Sequence, residues 1–333
     1  MEWKGGGMNL SGSMVALVTP FDGERIDEAA LKRLVELHVQ SGTSALVPCG
    51  TTGESATLSF EEHDRVIELT VQYARGRIPV IAGTGSNNTQ EAIRLTQHAK
   101  TVGADAALLI APYYNRPTQR GLVLHFKAIA EAVELPLIIY NIPSRTAVNV
   151  EPETFAQLAA IPNIVAVKES SGNLEQMSRI LQLTEGRLIL LSGDDALTLP
   201  ALAIGGRGVI SVAANIVPKD VAAMVAAFQA GRHDEAIRWH RKLLPLVKSL
   251  FLETNPIPVK TAMGLLGMID PRLRLPLCEM SEANREKLSA ALEAYGLLQA
   301  PGSPGPPFTN AGAGRLQAKT TASSPQPPAP SRL

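Results

Sequence analysis

The chain has 333 residues, 31 Lys+Arg against 31 Asp+Glu, 45% hydrophobic residues and only 4% aromatic ones. That hydrophobic share fills a core built from Ala, Val, Ile and Leu, and it excludes wholesale disorder. Zero net charge argues against a dedicated nucleic-acid or anionic-membrane binder, and no apolar run reaches the roughly 18 to 20 residues of a membrane span. Two cysteines, Cys49 and Cys278, cannot build a disulfide framework and point to a reducing, cytoplasmic setting. The opening MEWKGGGMNLSG has no apolar stretch before a cleavage site and no Arg/Ser-rich amphipathic pattern, so no export or transit signal is expected.

Residues 1–10, with Gly5-Gly6-Gly7, read as a flexible extension. Short apolar runs then recur at 14–20, 45–50, 79–84, 106–112, 135–141, 164–169, 188–193 and 208–212, starting 20 to 34 residues apart. They are apolar throughout rather than alternating, which suits strands covered on both faces, as in a parallel sheet. Between them lie sets at helical spacing, such as Leu31, Leu34, Val35 and His38, or Ala92, Leu95, Thr96 and Ala99. Eight such units over residues 11–217 predict an α/β (β/α)8 TIM barrel; a doubly wound open sheet is the alternative with similar alternation. Residues 218–299 carry only helical patterns, at 218–230, about 233–251, 256–267 and 281–295, punctuated by Gly231 and Asn255-Pro256. They predict a C-terminal helical appendage packed on the barrel or on a neighbouring subunit. Residues 300–333 hold 8 of the 24 prolines, and their only charges are Arg315, Lys319 and Arg332. Such a Pro/Ala/Ser-rich tail buries too little apolar surface to order itself and is expected to be disordered.

Reactive groups of a parallel barrel sit at the C-terminal ends of the strands and just beyond. Those positions hold Gly50-Thr51-Thr52-Gly53-Glu54-Ser55, Gly83-Thr84-Gly85, Tyr113-Tyr114, Tyr140 with Arg145 five residues on, Lys168-Glu169-Ser170, Gly193-Asp194-Asp195 and Ser211. Lys168 is the sharpest, because it follows the buried run Ile164-Val165-Ala166-Val167 and lysine is rarely buried without a reason. A reference lysine titrates near about 10.4, so on the order of one in two thousand is a free amine at neutral pH. A dry barrel mouth favours the uncharged, nucleophilic amine. Two readings stand: a nucleophile, or a lysine paired with Glu169 or Glu54.

Tyr140 and Tyr114 read either as rim packing or, linked through Thr51 or Thr52, as a Tyr–Thr–Tyr proton path. Arg145 reads either as a surface ion pair or as a bidentate partner for a substrate carboxylate. Other motifs fall away. Val165-Ala166-Val167-Lys168 lacks the phosphate loop and catalytic signatures of a kinase, and Gly83-Thr84-Gly85 lacks the third glycine of a dinucleotide fingerprint. The six histidines show no HExxH spacing, so no metal site and no cofactor is expected.

Taken together, GTTGES at 50–55, PYYNRPTQ at 112–119, YNIPSRT at 140–146, VAVKESSGNL at 165–174, SGDD at 192–195 and ETNPIPVK at 253–260 resemble the dihydrodipicolinate synthase family. That family belongs to the pyruvate-dependent class I aldolase barrels, with N-acetylneuraminate lyase among its relatives. The resemblance runs from about residue 9 to 298. It implies a lyase of lysine and diaminopimelate biosynthesis that joins pyruvate to L-aspartate 4-semialdehyde through a Schiff base on Lys168. Tyr140 would shuttle protons, and Thr51 would link it to Tyr114 from the neighbouring subunit. Thr52 would hold the pyruvate carboxylate, Arg145 the carboxylate of the second substrate, and backbone at Gly193 and Ile210 would line the pocket. A homotetramer arranged as a dimer of dimers is implied as well.

The resemblance further implies an inhibitory lysine site at Ser55, Ala56, His63, Asn87, Glu91 and Tyr113, where Phe60 departs from the histidine of the familiar bacterial pattern. The alternatives are another 2-keto acid aldolase, such as N-acetylneuraminate lyase, and a non-catalytic lysine-binding regulator on the same fold. Arg145 speaks for the synthase over the sugar lyase. The intact set of Lys168, Tyr140, Tyr114, Thr51 and Arg145 speaks against a regulator.

Overall fold

A computed structural model describes residues 10–298. Residues 1–9 and 299–333, which carry the expected flexible extension and Pro-rich tail, lie outside the described residues. Leu10, placed at the end of that extension by the sequence, is buried beside Met14 in the floor of the fold.

The strands are β1 (Gly12–Ala16), β2 (Phe21–Asp22), β3 (Arg25–Ile26), β4 (Ala45–Val47), β5 (Ile81–Gly83), β6 (Ala106–Ile110), β7 (Leu137–Asn141), β8 (Ile164–Glu169), β9 (Ile189–Ser192) and β10 (Gly208–Ser211). β2 and β3 form a small antiparallel hairpin that the apolar-run pattern did not mark. The other eight are parallel and hydrogen-bonded in the order β4-β1-β10-β9-β8-β7-β6-β5. A parallel bridge between Leu46 and Val80 joins the two ends and closes the barrel. The open-sheet alternative is thereby set aside.

Each apolar run serves two sides of the wall, because side chains alternate along a strand. Met14, Ala45, Ile81, Leu108, Ile138, Ala166, Leu191 and Ile210 point inward and pack on one another. Their outward neighbours Leu109, Leu137, Ile139, Val167 and Leu190 pack against the helices, around the fully buried Phe126 and Phe155. Truncating either ring to Ala removes about 3–5 kcal/mol of transfer and packing energy. The many inward alanines account for the low aromatic content: a narrow barrel has little room for rings.

The helices between strands are α1 (Glu28–Val39), α2 (Phe60–Ala74), α3 (Thr89–Thr101), α4 (Gln119–Ala132), α5 (Pro143–Thr146), α6 (Pro152–Leu158), α7 (Leu174–Thr184) and α8 (Thr198–Ala203). Their starts are written in side-chain caps. Asp27 accepts from Ala30 N, Ser59 and Glu62 form a reciprocal capping box, and Asn88, Thr118 and Asn173 cap α3, α4 and α7.

After β10 come α9 (Pro218–Gln229), α10 (His233–Ser249), α11 (Ile257–Leu265) and α12 (Glu282–Tyr295). They share one apolar cluster with α1 and α2, so the appendage packs on its own barrel. The segment between α10 and α12 also runs over the barrel mouth, where it supplies the polar contacts described next.

Candidate active site

The alternation within β8 decides which way its charges face. Ala166 lies inside, Val167 outside, and so Lys168 turns inward while Glu169 turns outward. Lys168 is 6% exposed and Glu169 is fully buried. The Glu169 carboxylate accepts from Asn141 Nδ2 at 2.9 Å, Ser171 N at 2.6 Å and Gln176 Nε2 at 3.3 Å. Burial pushes its proton affinity above the ordinary carboxylate value, against the pull of those donors. The other carboxylate considered for Lys168, Glu54, lies 2.7 Å from Lys260 Nζ. Both are therefore committed elsewhere, and Lys168 has no ion-pair partner among the described residues.

Lys168 instead rests on a phenol ring. β7 and β8 pair with Tyr140 opposite Lys168, and Lys168 Nζ sits 4.0 Å from the Tyr140 ring centroid. Tyr140 is itself buried at 5% exposure. On the other side, β9 brings Gly193 against the lysine stem. A Cβ at Gly193 would stand 2.9 Å from Lys168 Cε and overlap Ser170 Oγ. Only glycine leaves the amine its track along the wall.

Across the barrel from β8 stands β4, whose loop Gly50–Ser55 carries the paired threonines. Thr52 is buried, and its Oγ1 accepts from Asn255 Nδ2 at 2.9 Å. Asn255 O accepts from Arg145 Nη2 at 2.9 Å. Arg145 sits on α5, one short turn after β7, rather than in an irregular loop. The loop is held from below as well. Thr19 Oγ1 donates to Gly53 O at 2.7 Å, and Lys260 Nζ donates to Thr19 O at 3.0 Å and to Glu54 at 2.7 Å. Arg274 N donates to Glu54 Oε2 at 3.2 Å while its guanidinium grips Glu62. The Phe21 ring lies 4.3 Å from both the Lys260 ammonium and the Arg274 guanidinium. Glu54 holds a left-handed backbone, φ 54°, a conformation few glutamates adopt without support from their surroundings.

Thr51, Tyr140, Arg145 and Asn255 line one cavity of about 630 Å³. Its walls continue to Ser55, Ala56, Phe60, His63, Glu91 and Tyr113, so six of the residues around the expected lysine site share this space with the barrel mouth. Asn87 lies off the wall; its amide donates to Tyr113 O at 3.1 Å. Glu91 accepts from Ser86 Oγ. Burial, then the Glu91 carboxylate, push the Tyr113 phenol above its ordinary value. Burial lowers His63 to about 4, so its imidazole is neutral near pH 7. Phe60 is half exposed and has the Arg94 guanidinium 4.8 Å from its ring centroid.

Tyr114 stands apart from this cavity. Tyr114 is 90% exposed with φ 71°, outside the cavity wall, so a single chain does not assemble the Tyr–Thr–Tyr path. Ile210 is a fully buried inward side chain of the barrel core. Asp195, at the end of its apolar run, is buried and accepts from Val212 N, Ala213 N and Ser211 Oγ, stitching the end of β9 to β10. Asn255 and Lys260 were present in the ETNPIPVK motif without an assigned role; the Asn-Pro turn signal marked the place but not the partner.

Fold and site together define a parallel (β/α)8 barrel with one buried, inward-facing amine at the C-terminal end of a strand, where such barrels carry their reactive groups. Residues 9–295 match the dihydrodipicolinate synthetase family, to which this chain belongs. The 4-hydroxy-tetrahydrodipicolinate synthase of Geotalea uraniireducens is 57% identical over 289 residues, spanning 87% of this chain and all of that one. The chloride-inhibited dihydrodipicolinate synthase of Acinetobacter baumannii, solved with pyruvate, is 47% identical with a TM-score of 0.85, covering 87% of this chain and all of that chain. The enzyme of Cyanidioschyzon merolae, solved with lysine bound, is 43% identical with a TM-score of 0.84, covering 86% and 99%.

Proposed function

We propose that this chain is a 4-hydroxy-tetrahydrodipicolinate synthase, condensing pyruvate with L-aspartate 4-semialdehyde through a Schiff base on Lys168. The observation that carries this reading is the amine itself, buried at the barrel mouth, free of both neighbouring carboxylates and laid against the Tyr140 ring. The family and the relatives support it over a sugar-acid aldolase or a non-catalytic regulator.

Lys168 attacks the pyruvate ketone, and loss of water leaves an iminium. That cation withdraws electrons as a Lewis acid would, so a methyl proton leaves and a neutral enamine forms. The enamine carbon bonds to the aldehyde carbon of the second substrate, whose oxygen takes up a proton. The substrate amine then closes onto the imine carbon and expels Lys168. Tyr140 is the proton carrier beside the reacting carbon. Thr52 and adjacent backbone N–H groups hold the pyruvate carboxylate, and Arg145 holds that of the semialdehyde. Gly193 and backbone at Ile210 complete the pocket.

The relay through Thr51 is completed by Tyr114 of a neighbouring copy, which gives the exposed phenol a purpose and makes the working form a homo-oligomer, a tetramer of paired dimers. Lysine is the feedback ligand at the outer end of the cavity, with Phe60 stacking where a polar contact stands elsewhere in the family. The enzyme works in the cytoplasm, and no described helix is long and apolar enough to cross a membrane.

Borohydride reduction in the presence of pyruvate tests the reading. A pyruvate-derived mass increment on the peptide containing Lys168, absent from a folded Lys168→Ala variant, is the expected result. Absence of any adduct from the parent enzyme overturns the Schiff-base mechanism.

A further inference from the structure

Ser170 lies two residues beyond Lys168, one past the end of β8, with its Oγ beside Gly193 and the Lys168 stem. Its backbone is fixed from both sides: Ser170 N donates to Asn141 O at 2.9 Å, and Gly193 N donates to Glu169 O at 2.8 Å. The outward Glu169 carboxylate, bound by Asn141, Ser171 and Gln176, locks the same segment. Ser170 Oγ nevertheless has no hydrogen-bond partner among the described residues, although the atom is buried. A buried hydroxyl without a partner is costly, and such groups are rare unless a ligand or water completes them.

Its place indicates what completes it. Ser170 Oγ and Lys168 Cε flank the same gap above Gly193, the one a Cβ would fill. The nitrogen is one bond beyond Cε, and Tyr140 covers it from the β7 side. Ser170 Oγ therefore borders the lysine stem on the β9 side, without a hydrogen bond to Nζ.

We propose that Ser170 is a further catalytic residue: its hydroxyl oxygen accepts the N–H of Lys168 as the imine forms. This rests on the Schiff-base reading. When the amine adds to the ketone, nitrogen loses protons while the ketone oxygen leaves as water, and the iminium keeps one N–H. In a dry site that N–H needs an acceptor aligned with the planar C=N unit. Ser170 Oγ supplies it without adding charge, whereas a carboxylate there would neutralise the cation that draws electrons from the methyl carbon. The exclusion of Glu169 to the outer side of the wall and the presence of a neutral hydroxyl beside the Lys168 stem serve the same end.

The test compares Ser170→Ala and Ser170→Thr with the parent by rapid mixing with pyruvate alone, borohydride quenching and intact mass. Ser170→Ala removes an atom with no partner in the fold, so near- and far-ultraviolet circular dichroism should be unchanged. Adduct formation should slow about tenfold or more, the worth of one hydrogen bond to a charged group. Ser170→Thr, which keeps the oxygen, should recover most of the rate. Adduct formation in Ser170→Ala at the parental rate overturns the proposal, whether or not turnover with semialdehyde is slowed. If the parent itself forms no adduct, the Schiff-base reading fails instead.

Discussion

Lys260 and Glu54 form an ion pair of 2.7 Å, with both side chains fully buried and a separation of 206 positions in the chain. Burial lowers the proton affinity of Lys260, and the Glu54 carboxylate works against that. The pair ties α11 to the loop that carries Thr51 and Thr52. Lys260→Met should leave a lone buried carboxylate and cost about 3–5 kcal/mol. Adding Glu54→Leu should recover much of that loss. Urea midpoints of the two variants check this; a single variant as stable as the parent would show that the pair carries no such weight.

Asn255 bridges Thr52 and Arg145, the residues assigned to the two substrate carboxylates. Asn255→Ala removes the amide on Thr52 but keeps the backbone carbonyl that holds Arg145, so it should raise the KM for pyruvate by about tenfold and leave that for semialdehyde near parental. Arg145→Ala should affect semialdehyde alone and leave pyruvate trapping intact. Steady-state kinetics with each substrate varied separates the two patterns, and an Asn255→Ala enzyme with parental constants contradicts the bridging role.

Gly193 is the floor on which the Lys168 side chain lies. Gly193→Ala would set a methyl group 2.9 Å from Lys168 Cε. Displacement of the nitrogen by about an ångström is enough to cut the rate of imine formation on the order of a hundredfold. Mass-detected trapping in Gly193→Ala measures the effect, and trapping at the parental rate would mean that the stem has room the geometry does not show.

Three histidines, His38, His63 and His125, are lowered from an ordinary 6.5 to about 4, in each case chiefly by burial. The unfolded chain binds these protons more readily than the folded one, so acid favours unfolding. Their contribution is fully present above pH 6.5 and is lost as pH falls towards 4. Tm should decline already between pH 6.5 and 5, above the range where ordinary carboxylates titrate. A His125→Gln variant should show a shallower decline; an identical slope would assign the effect to other groups.

The barrel was legible because each helix carries its own apolar stripe. Leu31, Leu34, Val35 and His38 of α1, and Ala92, Leu95, Thr96 and Ala99 of α3, are the residues found buried. The four C-terminal helices likewise fall within a few residues of their expected spans. The hairpin of β2 and β3 escaped because two-residue strands show no periodicity, although Asp22-Gly23 is a turn signal.

Lys168 and Tyr140 stood out as polar residues ending apolar runs. Which carboxylate, if any, met Lys168 was not readable, since strands apolar on both faces hide which side is in. Nor was the bracing of the threonine loop, because Asn255–Thr52 and Lys260–Glu54 are contacts between distant segments that no local pattern encodes.

The opposite facing of Lys168 and Glu169 makes β8 intolerant of a frame change. Deleting one residue from Ile164–Val167 would turn that strand inside out. A carboxylate would then occupy the chamber where pyruvate must meet an amine, and an ammonium would be stranded among the amides of Asn141 and Gln176. Point changes in this strand can be graded in their consequences, whereas a one-codon loss would be all or nothing.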